Sequence, residues 1–119
     1  MPERAWWEGL FNAIDAKDLS GFLAHLTPDA EFRFANNPSA YGHEAIGAAV
    51  GGFFGAIGGS RHRFIRAWED GGSAVCEGEV TYTRHDGSTL TVPFVNVFYL
   101  QGDKVRRYLI LIDNSALFG

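Results

Sequence analysis

Two polar residues sit on runs that otherwise read as strands, and together they are equipped for acid/base chemistry. Asn96 interrupts Leu90-Thr91-Val92-Pro93-Phe94-Val95-Asn96-Val97-Phe98-Tyr99-Leu100, a run with the composition of a buried strand. A buried amide without a partner costs about 1–3 kcal/mol, so an amide kept there either ties down the core or addresses a ligand. The preceding run, residues 75–84, carries Glu77 and Glu79 at alternate positions. If Glu79 and Asn96 face one cavity, the carboxyl group can shuttle a proton. The amide can hold a carbonyl, a hydroxyl or a developing oxyanion. Cys76, Val80 and Tyr82 alternate with the two glutamates, and alternation alone would bury that apolar set instead. Phe32, Phe34, Phe54 and Tyr108 are candidate walls for such a pocket. Tyr41 and His43 either close its mouth or simply start a helix, and Trp68 lines either the cavity or a dimer face. Asp113 is a second carboxylate by type, but its position before Ser115 suits a cap on a terminal turn.

Other chemistries lack their residues. His25, His62 and His85 have no metal-ligand spacing, and no His/Glu cluster resembles a ligand set. No Ser-His-Asp arrangement, phosphate-binding glycine loop or dinucleotide fingerprint occurs. The expectation is therefore no metal and no cofactor. The net charge is −4, which disfavours nucleic acid and anionic membranes as partners. Arg61-His62-Arg63 with Arg66, and Lys104 with Arg106-Arg107, read as solvated strand faces. The single cysteine, Cys76, excludes a disulfide within the chain and suits a reducing cytoplasm. No apolar stretch reaches the roughly 18 residues of a membrane span, and the first residues do not form a signal peptide. A cytoplasmic location is expected.

The elements that must position these residues follow from periodicity. The 119 residues suit one domain with a single core. Residues 3–16 read as a helix with Trp6, Leu10, Ala13 and Ile14 on one stripe. Asp18 can cap a second helix carrying Leu19, Phe22, Leu23 and Leu26, which Thr27-Pro28-Asp29 ends. Ala30 to Ala35 alternates as a strand, and residues 36–39 form a loop. A third helix runs from about Tyr41 to Ile57, its apolar side formed by Ile46, Val50, Phe53, Phe54 and Ile57. Gly47, Gly51, Gly52 and Gly55 weaken that helix by roughly 1 kcal/mol each, so packing must stabilise it. Strands follow at 61–68, 75–84, 90–100 and 104–112, with Asp86-Gly87 as a hairpin signal. Helices segregated from a mostly antiparallel sheet make an α+β domain. The last two strands are apolar on both faces, so one face needs cover, and a sheet-to-sheet homodimer is expected.

Several stretches resemble the nuclear transport factor 2-like superfamily, in particular its SnoaL-like and ketosteroid-isomerase-like members. They are Phe11-Asn12-Ala13-Ile14-Asp15-Ala16-Lys17-Asp18-Leu19, Leu26-Thr27-Pro28-Asp29-Ala30-Glu31-Phe32, Tyr41-Gly42-His43-Glu44-Ala45-Ile46, and Asp103-Lys104-Val105 leading to Asp113. The resemblance covers nearly the whole chain. It implies one SnoaL-like domain over 1–119, with a cone-shaped (cystatin-like) curved sheet wrapped around helices and an apolar pocket at the open end. Aligned on Asp86-Gly87, Asn96 falls where ketosteroid isomerases keep a protonated aspartic acid, and scytalone-dehydratase-like members have an amide there. Phe34 and Leu10 replace the isomerases' proton-abstracting aspartate and donor tyrosine, which makes steroid isomerisation improbable. Against limonene-epoxide-hydrolase-like members, Glu79 lands near one catalytic carboxylate, while Ile110 and Glu77 replace its companions. The alignment thus turns Glu79 inward where alternation turns it outward, and the sequence leaves both faces open.

The functional expectation is a small-molecule enzyme with an apolar pocket and cofactor-free acid/base chemistry of the isomerase, dehydratase, cyclase or epoxide-hydrolase type. Glu79 and Asn96 are its candidate catalytic pair. Phe32, Phe34, Tyr41, Phe54, Trp68 and Tyr108 are its candidate ligand contacts. The competing classes are a non-catalytic binding domain for a small apolar ligand and a structural dimer module.

Overall fold

A computed structural model describes residues 3–118. Helix α1 (Arg4–Asp15) buries Trp7, Leu10, Phe11 and Ala13, the stripe expected of an amphipathic helix. Asp18 caps α2 (Leu19–Leu23), its carboxylate accepting the Gly21 backbone N–H at 3.0 Å. Helix α3 (Gly42–Ala56) buries Ile46, Val50 and Phe54. Its glycines Gly47 and Gly51 face α2, where a Cβ would meet Leu23 at 3.5 Å and Leu19 at 3.6 Å, ordinary contact distances.

Six strands complete the fold: β1 (Leu26–Phe34), β2 (Ala40–Tyr41), β3 (Gly59–Asp70), β4 (Ser73–Thr83), β5 (Thr89–Gln101) and β6 (Lys104–Ile112). They form one sheet in the order β2-β1-β6-β5-β4-β3, antiparallel except for the β1–β6 pair. The α+β class, the three helices and the long hairpin strands agree with the sequence reading. Three local features differ from it. The first strand begins at Leu26 rather than Ala30, so Thr27-Pro28-Asp29 lies within a strand. The β1–β6 register shifts between Leu26 and Glu31, and Pro28, which has no N–H to give a ladder, falls inside that shift. The pairing of β1 with β6 is parallel, a long-range contact with no local signal. The two-residue β2 lies where a loop and the start of a helix were expected.

Which residues face the core is decided by the pleat, whose period is two. Along β4, Ala74, Cys76, Gly78, Val80 and Tyr82 are buried and their neighbours are half-buried. Register carries this parity across the sheet. Cys76 pairs with Asn96 and Asn96 with Ile110, while Ala74 pairs with Phe98 and Phe98 with Tyr108. Asn96 is thus on the inner face by the same alternation that puts Glu77 and Glu79 on the outer one. The inner face meets the helices through stacked aromatics. The Trp7 ring lies 5.0 Å from Phe98 at an interplanar angle of 19°, an offset-stacked geometry, and Phe98 lies 4.4 Å from Tyr108. No helix among the described residues is long and apolar enough to cross a membrane.

Candidate functional site

Between α3 and the inner face of the sheet lies a cavity of about 130 Å³. Its walls are mainly apolar, with Phe32, Phe34, Phe53, Phe54, Phe94 and Tyr108 among them. Each wall residue follows from an element already described: Phe32 and Phe34 alternate on β1, Phe53 and Phe54 come from α3, and Phe94 and Tyr108 point inward from β5 and β6. Six polar side chains reach the cavity, those of Asn37, Ser60, His62, Tyr82, Asn96 and Tyr108, and three of them decide what it can do.

Asn96 and Tyr108 are the first two. Asn96 is 2% exposed and Tyr108 is fully buried. The Asn96 Oδ1 and the Tyr108 hydroxyl have no hydrogen-bond partner in the protein. Buried polar atoms are nearly always paired, so two unpaired ones on residues that line one cavity mark that end of it as the place where a ligand would be held. Trp7 Nε1 also lacks a hydrogen-bond partner and Arg107 Nε faces the Glu31 carboxylate at 3.2 Å, but neither residue lines the cavity. Burial pushes the Tyr108 hydroxyl well above its ordinary range, with the Cys76 and Tyr82 side chains adding to the effect. It stays protonated and can donate.

His62 is the third, and sequence reasoning placed it on a solvated face. It lines the cavity and pairs with Asp15 at the end of α1, Nδ1 lying 2.5 Å from Asp15 Oδ1. Asp15 is held in turn by the His62 backbone N–H at 2.8 Å and by the Ser60 hydroxyl at 2.8 Å. The imidazole stacks on Phe11 at 5.0 Å and meets the edge of Phe94 at 5.4 Å, which fixes its plane. With Nδ1–H donated to a carboxylate, Nε2 is the nitrogen left for a ligand. Two signals in the sequence point to this pair. Ser60, His62 and Phe64 alternate with Arg61 and Arg63, so the histidine belongs to the opposite face from the arginines. Asp15 closes α1, where the helix dipole disfavours a carboxylate, and a partner is needed to offset that cost.

Glu79 is elsewhere. It lies on the outer face of β4, its side chain 40% exposed, with Oε1 accepting from Arg63 Nη2 at 2.7 Å and Nε at 3.2 Å. The expected convergence of Glu79 with Asn96 does not occur, because strand parity separates them. Two of the expected ligand contacts are also displaced. Tyr41 is 66% exposed and precedes α3 outside the cavity lining, and Trp68 is 44% exposed beneath the Arg66 guanidinium at 4.5 Å. Phe32, Phe34, Phe54 and Tyr108 do line the cavity. His43 sits against the backbone carbonyl of Leu26 at 3.2 Å. Asp113 accepts the Ser115 N–H at 3.1 Å, a turn contact rather than a site contact.

Asp15 links the site to stability. Burial raises its carboxyl, but the hydrogen bond and attraction of His62, with the His62 N–H and the Ser60 hydroxyl, outweigh burial and hold it below the usual 3.8. A depressed acid contributes stability that is present above its unfolded value and is lost as pH falls through its folded value. The wild-type protein is therefore expected to lose stability as pH drops below 3.8, and Asp15→Asn to lose less over the same window. Urea unfolding of both proteins at about pH 5 and about pH 3 checks this. Equal losses in the two would remove Asp15 as a contributor.

Comparison with known proteins gives the family. The model of the SnoaL-like domain matches residues 7–108. No curated protein matches the chain. Solved structures match throughout. TerC co-crystallised with polyporic acid has a TM-score of 0.84 at 21% identity, covering 96% of this chain and 93% of that one. A protein of ketosteroid isomerase-like fold from Catenulispora acidiphila, in complex with trimethylamine, has a TM-score of 0.86 at 12% identity, covering 96% and 89%. An epoxide hydrolase of M. tuberculosis, LEH-like, has a TM-score of 0.78 at 16% identity, covering 96% and 84%. At these identities the likeness establishes the fold, which proteins classed as polyketide cyclases share as well. With 7–108 matched by the family model, the chain belongs to the SnoaL-like domain family.

Proposed function

We propose that the protein is a small-molecule enzyme that moves a proton by cofactor-free acid/base chemistry in the apolar cavity. The observation that carries the reading is the His62–Asp15 pair, which opens onto the same cavity as the unpaired Asn96 and Tyr108. His62 Nε2 takes a proton from carbon beside a carbonyl, and the Asp15 carboxylate faces the charge that develops on the ring, the arrangement of a carboxylate-supported general base. The electron pair of the broken C–H bond moves to the carbonyl oxygen. That oxygen receives a hydrogen bond from the Tyr108 hydroxyl, a donor of the kind that stabilises an oxyanion in a water-poor site, while Asn96 Oδ1 accepts from a hydroxyl of the substrate. Where a hydroxyl sits one carbon further on, the pair returns, the C–O bond breaks, and the proton on His62 leaves with the hydroxyl as water. The solved relatives whose names mention an epoxide hydrolase and bound small molecules support a ligand-holding cavity in this fold. The assay is NMR of 3-hydroxycyclohexanone in D2O. Deuterium entering beside the carbonyl, or cyclohexenone appearing, is expected with wild type. A rate equal to buffer alone would favour a binding domain instead.

The outer face of the sheet is assigned to a partner copy. Leu111 is 56% exposed there, with half-buried Leu109 on its own strand, Val95 and Val97 on β5 and Val75 beyond them on β4. A contiguous apolar patch of this kind marks an interface, and the self-complementary solution for one repeated surface is a two-fold dimer. Sedimentation is expected to give a dimer for wild type and a monomer for Leu111→Glu. A monomeric wild type would remove the assignment.

A further inference from the structure

The polar atoms left unpaired in the cavity restrict what can fill it. Resting on the reading that this cavity is the site, we infer that its ligand is an uncharged compound presenting one six-membered ring with a hydroxyl group to the Asn96–Tyr108 end. Three observations carry this.

The first is size. An engineered apolar cavity of about 150 Å³ takes up benzene, and the space here is about 130 Å³. The space is of the order that one ring fills, and substituents can extend toward the mouth. The flat rings of Phe32, Phe34, Phe54 and Phe94 suit a flat partner, since aromatic pairs settle in stacked or edge-on contact.

The second is charge. No lysine, arginine, aspartate or glutamate lies among the described residues that line the cavity. The nearest carboxylate, Asp15, is already engaged by His62 and Ser60. An anion or a cation entering these walls would give up its hydration and meet no charged group except the His62–Asp15 pair, whose two members already face each other, a penalty far above that of a neutral group.

The third is hydrogen-bond type. Asn96 Oδ1 is an acceptor and needs a donor, and the Tyr108 hydroxyl both donates and accepts. A ketone or ether supplies no donor, and a hydrocarbon supplies nothing. A hydroxyl matches an amide in either orientation of the amide, because it gives one proton and takes another.

Calorimetric titration with phenol, toluene and benzoate near neutral pH tests the inference. Phenol is expected to bind about tenfold or more tighter than toluene, and benzoate to show no binding. In Asn96→Leu, an apolar replacement of similar size, phenol is expected to fall to the affinity of toluene. Tyr108→Phe, which removes only the hydroxyl, should move it in the same direction and serves if Asn96→Leu does not fold. Benzoate binding as well as phenol, toluene matching phenol, or no binding of any of the three would each overturn the inference. The exchange assay on wild type keeps the two readings apart. The order phenol over toluene over benzoate without any proton exchange by wild type leaves the ligand class standing and removes the enzyme. Proton exchange by wild type with benzoate bound as tightly as phenol does the reverse.

Discussion

His62→Gln lowers the rate of proton exchange by about 10²–10⁴-fold, the range that one positioned general base supplies. Glutamine keeps much of the volume and a hydrogen-bonding end, so the Asp15 carboxylate retains a donor and the fold should persist. It has no nitrogen lone pair to take a proton. The ligand contacts at Asn96 and Tyr108 are untouched, so affinity for a neutral ring compound is expected to change by less than about threefold, within what a surface-level perturbation costs. That split between rate and affinity is the diagnostic. A binding domain would show no rate to lose, and a structural role for His62 would lower both quantities together. Asp15→Asn is expected to fall between wild type and His62→Gln, since it leaves the base in place but weakens its orientation and its charge partner. Exchange rates and calorimetric affinities measured on the three proteins decide it.

Gly78→Ala is the substitution expected to damage the fold and the cavity together. Gly78 occupies an inward position on β4, opposite Phe94 on β5 and Phe64 on β3. A Cβ there would come within 2.6 Å of Phe94 Cζ and 2.7 Å of the Arg63 backbone oxygen. The Phe94 ring therefore lies across the glycine, filling space that a side chain would otherwise take. The β3 register slips between Phe64 and Arg66 beside it, so the backbone approaches closely where a bulge bends the strand. An added methyl must push the ring or the strand, at a cost of about 1–3 kcal/mol for overpacking. Phe94 also meets the edge of His62 at 5.4 Å and lines the cavity. The displaced ring is thus expected to cut proton exchange as well as stability. Urea unfolding and the exchange assay on Gly78→Ala report the two effects. Wild-type stability in this variant would show that the ring moves freely and does not define the site.

The elements were legible because each has a local cause. Alternation marks β4, the apolar stripe of Trp6, Leu10, Ala13 and Ile14 marks α1, although Trp7 and Phe11 are the aromatics it buries, the Asp18 carboxylate marks the start of α2, and Asp86-Gly87 marks the hairpin. The parallel pairing of β1 with β6 had no such cause, since it joins residues some eighty positions apart. For the site, Asn96 was legible as a polar residue breaking a buried run. For Glu79 the sequence left both faces open, because an alignment anchored on one turn stood against the alternation of Cys76, Val80 and Tyr82, and the pleat followed the alternation. The same rule applied to Ser60, His62 and Phe64 would have put His62 inside. Its flanking arginines drew it instead into a surface cluster. Asp15 stayed hidden because its partner lies 47 positions away, and only the fold brings a helix end and a strand together.

A crystal structure with 3-hydroxycyclohexanone bound tests the site most directly. The predicted result puts the ligand in the cavity, with an oxygen within hydrogen-bond distance of Asn96 or Tyr108 and the carbon beside the carbonyl within about 3–3.5 Å of His62 Nε2. A ligand seated elsewhere, or an Nε2 turned away from the cavity with Asn96 bonded inside the protein, would contradict the assignment of His62 as the base.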